Sequence, residues 1–193
     1  MIPWGTGRVA GGCFAVSAVV LPGRRLRLRY PGRTGQGMAP QLLFDISDID
    51  FDGVAYDVDA IEKVNPHRGA MRLIDKIVHA TDDLQYTMAY RDVGDDEFWV
   101  AGHIPGRPIF PGVLMIEAGA QLASFVCLSK QGIEFMGFAG LEDVKFRGQV
   151  VPGDRLYILC ELLELRSRRS KSRVQGVVDG RLVFEATIIG MPL

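Results

Sequence analysis

The sequence predicts an α+β fold in which one long, buried helix packs against a largely antiparallel sheet of five or more strands. Two observations carry this. Residues 113–128 are apolar on nearly every side, and a helix that is hydrophobic all round has to be buried. From residue 135 onward the chain is one strand-like run after another, broken by turn signals of which Asp179-Gly180 is a favoured hairpin turn. No internal repeat and no second domain is visible.

At 193 residues, 48% hydrophobic and 23% charged, the chain has the size of one globular domain with an appendage. Its three cysteines, Cys13, Cys127 and Cys160, are far apart, odd in number and free of CxxC spacing. That argues against a disulfide framework and a zinc site, and points to a reducing, cytoplasmic compartment. No apolar run reaches the roughly 18 to 20 residues needed to cross a bilayer, so no membrane span is expected. Residues 1–37 hold six arginines and no acid, which leaves 16 basic against 23 acidic residues in the remainder, a charge near −7. Such a body does not look like a nucleic-acid binder.

The elements follow in order. Residues 1–37 combine Gly, Pro, a short apolar patch and the cluster Arg24, Arg25, Arg27, Arg29. An export signal would put its charge ahead of the patch, and here most of it follows. An Arg-rich, acid-free targeting segment fits the composition, although Pro and Gly spoil an amphipathic helix. The preferred reading is an extension upstream of a start at Met38, disordered and without chemistry, so that residues 38–193 form a single domain. Residues 44–59 are acidic and loop-like; Ile61 to Val64 form a helical turn that Asn65-Pro66 ends. Strands are expected at residues 71–79 and 84–93, then, after a Gly/Pro-rich loop and the helix, at 135–141, 144–150, 156–165, 172–178 and 182–189.

The chemistry concentrates in residues 102–121. His103 stands in a loop where Gly and Pro forbid regular structure, and Glu117 follows fourteen residues later inside the apolar helix. Glu117, Gln121 and Ser124 are spaced i, i+4, i+7, so they share one face, which has to look at a polar pocket or an interface. Pro111 suits the first helical turn, and Gly112 beside it exposes a backbone N–H at the positive end of the helix dipole.

Several motifs occur in order: Asn65-Pro66-His67-Arg68 with Leu73-Ile74-Asp75, Gly102-His103-Ile104-Pro105-Gly106-Arg107-Pro108, and Pro111-Gly112-Val113-Leu114 with Glu117 and Gln121. Val144-Lys145-Phe146-Arg147 and Val151-Pro152-Gly153-Asp154 follow. Together they resemble the 3-hydroxyacyl-acyl carrier protein dehydratases of bacterial type II fatty-acid synthesis, collinearly from about Ile61 to Ile189. The resemblance implies a hot-dog fold, with the sheet wrapped round the helix, and homodimers commonly assembled as trimers of dimers. It implies that His103 is the catalytic base and Glu117 the acid, meeting across the dimer interface, with the Gly112 N–H polarising the thioester carbonyl. Pro111 and Gln121 would support the site. His67 is read as shaping the wall of the site. Where the family continues with an aromatic and large apolar residues, Gly69-Ala70-Met71-Arg72 intervenes, which implies a smaller wall and an extra charge.

No metal or organic cofactor is required for this chemistry. The partner implied is acyl carrier protein, which is acidic; Arg166, Arg168, Arg169 and Lys171, with Arg173, Lys145 and Arg147 nearby in sequence, are the basic groups that could dock it, or simply a solvated hairpin. Three other functions compete. A dehydratase/isomerase branch typically carries aspartate where this chain has Glu117. A hot-dog thioesterase would have a helix carboxylate and no Gly-His-x-Pro-Gly loop. A non-catalytic acyl-carrier-binding protein would need neither His103 nor Glu117.

Overall fold

The computed structural model describes residues 41–192, so the reading of residues 1–37 lies outside the described residues. In chain order the elements are α1 (Val58–Val64), a 3₁₀ turn (Gly69–Met71), β1 (Lys76–Ala80), β2 (Tyr86–Asp92), α2 (Gly112–Gln131), β3 (Met136–Phe146), β4 (Arg155–Arg166), β5 (Arg169–Val178) and β6 (Arg181–Pro192). The strands form one sheet in the order β1-β2-β4-β5-β6-β3, antiparallel throughout. α2 packs against β2, β3, β4, β5 and β6, so the sheet wraps the helix as a hot-dog fold requires.

Alternation along the strands decides what each face buries. On β4, Leu156, Ile158, Cys160 and Leu162 point to the core around α2, where they meet Leu122, Phe125 and Val126. Leu159 and Tyr157 point the other way, into a second cluster with Val78, Met88, Tyr90 and Val177. That outer cluster is covered by the segment before α1. Ile46 is buried there, Phe51 lies edge-on to Tyr157 at 5.1 Å, and Gln175 ties the segment down by accepting from the Leu43 N–H at 2.9 Å. The sequence had suggested an acidic loop at residues 44–59; its acids stay in water while the apolar residues between them cap the sheet.

Residues 135–141 and 144–150, expected as two strands, are largely one. β3 pairs with β6 through to Phe146, with a register shift between Glu142 and Lys145, and Asp143 at φ 53°. A bulge of this kind, with an acid that tolerates the left-handed region, reads in sequence as a break between strands. Asp179 and Gly180 both have positive φ, as a two-residue hairpin turn demands. Residues 112–131 form a longer apolar stretch than the sequence reading allowed. The 20-residue α2 is long and apolar enough to cross a membrane by length and composition, because Glu117 and Lys130 are its only charges, and it is mostly buried as the core helix.

Close packing on the inner face gives a stability prediction. A Cβ on Gly176 would sit 2.2 Å from the ring of Phe184, which is fully buried. Gly176→Ala therefore forces the ring or the strand to move. The expected loss is about 1–3 kcal/mol, read as a lower urea midpoint with an unchanged slope.

Candidate active site

His103 is held by a loop with its own internal support. Trp99 is buried and stacks edge-on against Phe110 at 5.3 Å, and its carbonyl accepts the N–H groups of Gly102 (3.2 Å) and His103 (2.7 Å). Arg91 anchors the approach to this loop by pairing with both Asp75 (2.7 Å) and Glu97 (2.5 Å). Beyond the histidine, Ile104 and Gly106 take positive φ, and Phe110 re-enters the core by donating to the Val150 carbonyl at 2.7 Å. The ring is fixed by one contact, Nδ1 to the carbonyl of Ile109 at 2.7 Å. A carbonyl can only accept, so Nδ1 carries the hydrogen and the lone pair of the neutral ring is on Nε2.

α2 begins immediately after this loop. Pro111 is its N-cap, one position earlier than the first-turn placement expected from sequence, and its carbonyl accepts from Leu114 (2.9 Å) and Met115 (3.2 Å). Proline has no side-chain acceptor to cap a helix, which leaves the N–H groups of Gly112 and Val113 for an acceptor from outside. The space over Gly112 is tight: an added Cβ would be 2.8 Å from the Phe146 ring.

Glu117 lines a cavity of about 60 Å³ between α2 and the sheet, with Gln121, Ser124, Met136, Ser170 and His67. The shared face read from the i, i+4, i+7 spacing is this wall. Gln121 Nε2 donates to Glu117 Oε1 at 2.9 Å, and His67 Nε2 stands 3.4 Å from the same oxygen. His67 was read as a wall residue, and the structure brings it to the carboxyl group itself. The signal for it was indirect: Asn65-Pro66 turns the chain off α1, and the buried Asn65 side chain then donates to the Gln121 carbonyl at 2.8 Å, laying residue 67 over Glu117.

The chain does not join His103 to Glu117. His103 does not line the Glu117 cavity, and no hydrogen bond or ion pair connects them. Nor does Arg72, the extra charge in the departing segment, enter the cavity; it pairs with Glu62 (3.2 Å) and Asp75 (3.2 Å). Of the basic residues considered for docking, Arg166 pairs with Glu164 (3.0 Å), Lys171 with Glu142 (2.6 Å), Arg173 with Glu161, and Lys145 and Arg147 with Glu185. Arg168 and Arg169, at the β4–β5 hairpin, make no ion pair among the described residues. Burial pushes the thiols of Cys127 and Cys160 up, so neither is a thiolate nucleophile. Among the described residues no cluster of His, Cys, Asp or Glu could hold a metal ion.

The chain is similar to known proteins over most of its length. The model of the FabA-like domain matches residues 65–188. The 3-hydroxyacyl-acyl-carrier-protein dehydratase FabZ of Clostridium beijerinckii is 37% identical over 138 residues, covering 69% of this chain and 96% of that one. Its counterpart in Lawsonia intracellularis is 38% identical over 138 residues, 68% of this chain and 89% of that one. Among solved structures, the dehydratase heterocomplex ApeI:P from Xenorhabdus doucetiae aligns with a TM-score of 0.59 at 15% identity, over 69% of this chain and 90% of that one. A sigma28-regulated virulence protein from Campylobacter jejuni aligns at 0.55 and 17%, over 75% and 96%. These two likenesses speak for the fold alone. With a family matched over most of the chain, and relatives above 30% identity spanned almost end to end, the chain belongs to the FabA-like domain family, among its FabZ-type 3-hydroxyacyl-acyl-carrier-protein dehydratases.

Proposed function

We propose that the protein dehydrates a (3R)-hydroxyacyl thioester on acyl carrier protein to the trans-2-enoyl thioester in cytoplasmic fatty-acid synthesis. In this reading His103 of one protomer is the base and Glu117 of its partner is the acid. The observation that carries it is the fixed His103 ring, whose bond to the Ile109 carbonyl leaves Nε2 as a base in a loop that matches the dehydratase motif.

Nε2 takes the C2 proton of the substrate, and the electron pair left on carbon moves toward the thioester carbonyl. The Gly112 N–H, backed by the positive end of α2, stabilises the charge on that oxygen. Glu117 gives a proton to the C3 hydroxyl, the C3–O bond breaks, and water leaves as the C2–C3 double bond forms. His103 has then gained one proton and Glu117 has lost one, and exchange with solvent restores both.

A dimer is supported by where apolar surface remains. β3 is an edge strand, and Phe138 (53% exposed) and Phe146 (51%) lie on it, with Val113 (70%) at the nearby start of α2. An exposed apolar edge is a template for a second copy. Carrier docking falls to Arg168 and Arg169 in this reading, since Arg166, Lys171, Arg173, Lys145 and Arg147 are matched by acids.

The test is direct. Purified protein given 3-hydroxyacyl-carrier substrates of several chain lengths is expected to yield a product lighter by one water with enoyl absorbance. Folded protein that turns over none of them would sink the proposal, and release of free thiol instead would favour a thioesterase.

A further inference from the structure

The two oxygens of the Glu117 carboxyl group are not equivalent. The backbone holds the Gln121 amide in one orientation. Its Oε1 accepts from the Leu73 N–H at 2.9 Å, and its Nε2 donates to the Met71 carbonyl at 2.7 Å. An N–H only donates and a carbonyl only accepts, so a flipped amide would face both partners with the wrong group. The second Nε2 hydrogen is thereby aimed at Glu117 Oε1, 2.9 Å away.

His67 approaches the same oxygen. Its Nε2 is 3.4 Å from Oε1, while its Nδ1 is buried without a partner. A buried N–H left unpaired is a rarer and costlier defect than an unpaired acceptor, so the hydrogen of the neutral ring belongs on Nε2, facing Glu117. The segment that carries the ring is pinned on both sides: Asn65 donates to the Gln121 carbonyl at 2.8 Å, and Arg68 donates to the carbonyls of Asn65 (2.7 Å) and His67 (2.8 Å). Among the described residues, His67 and Glu117 are the only ionisable ones lining the cavity.

Oε1 thus accepts a hydrogen bond from Gln121 and lies within ion-pair distance of His67 Nε2. A carboxyl proton on Oε1 would point a third hydrogen into this group. Oε2 receives no hydrogen bond among the described residues. We propose that His67 and Gln121 are positioning residues that occupy Glu117 Oε1 and confine its transferable proton to Oε2. The proposal rests on the reading of Glu117 as the acid and adds a direction to it: only the Oε2 edge of the carboxyl group meets the departing hydroxyl.

Two variants and two readouts test this. His67→Leu removes the donor at similar bulk, and His67→Gln puts an N–H back near the position of Nε2. His67→Leu is expected to lower kcat about 10- to 100-fold, the scale of a hydrogen bond to a charged or reacting carboxyl, with KM and melting temperature little changed. His67→Gln is expected to return most of the lost kcat. A His67→Leu enzyme with full kcat would overturn the proposal, as would equal losses in the two variants. The second readout needs no turnover. The infrared C=O band of Glu117, read in samples acidified until the carboxyl is protonated and identified by its disappearance in Glu117→Gln, is expected at higher frequency in His67→Leu than in wild type, because Oε1 has lost its polar neighbour. An unmoved band would also overturn the proposal. A wild type inactive on every hydroxyacyl substrate would instead sink the dehydratase reading, with the band shift still deciding the role of His67.

Discussion

His103→Ala is expected to lower kcat/KM for a 3-hydroxyacyl-carrier substrate by about 10²- to 10⁴-fold, the usual contribution of a positioned general base. The fold should survive. The ring's one hydrogen bond is to the Ile109 carbonyl, worth about 1 kcal/mol, while the backbone bond from the His103 N–H to Trp99 and the Trp99–Phe110 stacking remain. The loss should therefore appear in turnover and not in the melting temperature. The comparison has to be made on soluble, folded variant, and chain length should be held fixed, since the wall formed by residues 69–72 departs from the family pattern. A variant that keeps wild-type kcat/KM would remove His103 from the mechanism. One that melts much earlier would show that the loop needs the ring for its shape.

Much of this was legible in the sequence, for identifiable reasons. The buried helix announced itself by being apolar on every side, and its polar face by a strict i, i+4, i+7 spacing, because both follow from helical geometry alone. Glu117 and Gln121 do share that face and line one cavity. The hairpin at Asp179-Gly180 was fixed by the few residues that accept positive φ. Three things were hidden. The single strand β3 looked like two because a bulge at Asp143 places polar residues where a turn would have them. Residues 44–59 do run as a loop as far as α1, but their role as a cover for the sheet was hidden, because the apolar side chains alternate with acids and pack on a face whose existence depends on the whole sheet. His67 sits fifty residues from Glu117 in sequence, and only the buried bond from Asn65 to the helix backbone brings it there. Long-range contacts of this sort leave no periodic trace.

The second large effect concerns which His103 serves which Glu117. Glu117→Gln should match the loss in His103→Ala, because the amide cannot supply the proton, while its oxygen can still accept from Gln121 and keep the helix seated against residues 71–73. Each variant alone is expected to be nearly inactive. Mixed dimers behave differently if the site takes one residue from each chain. The Glu117→Gln chain then contributes its His103 and the His103→Ala chain its Glu117, so one of the two sites in a mixed dimer is intact and the other lacks both groups. Random assortment makes about half the dimers mixed, so co-refolded protein should reach about a quarter of wild-type activity, far above either parent. The structure gives reason to expect this outcome. His103 does not line the Glu117 cavity, its Nε2 lone pair is left without an acid from its own chain, and the exposed aromatic edge of β3 offers a second chain a place to dock. Were each site complete within one chain, every subunit in the mixture would still lack one of its two groups and mixing would restore nothing, so the activity of the mixture separates a shared site from a private one.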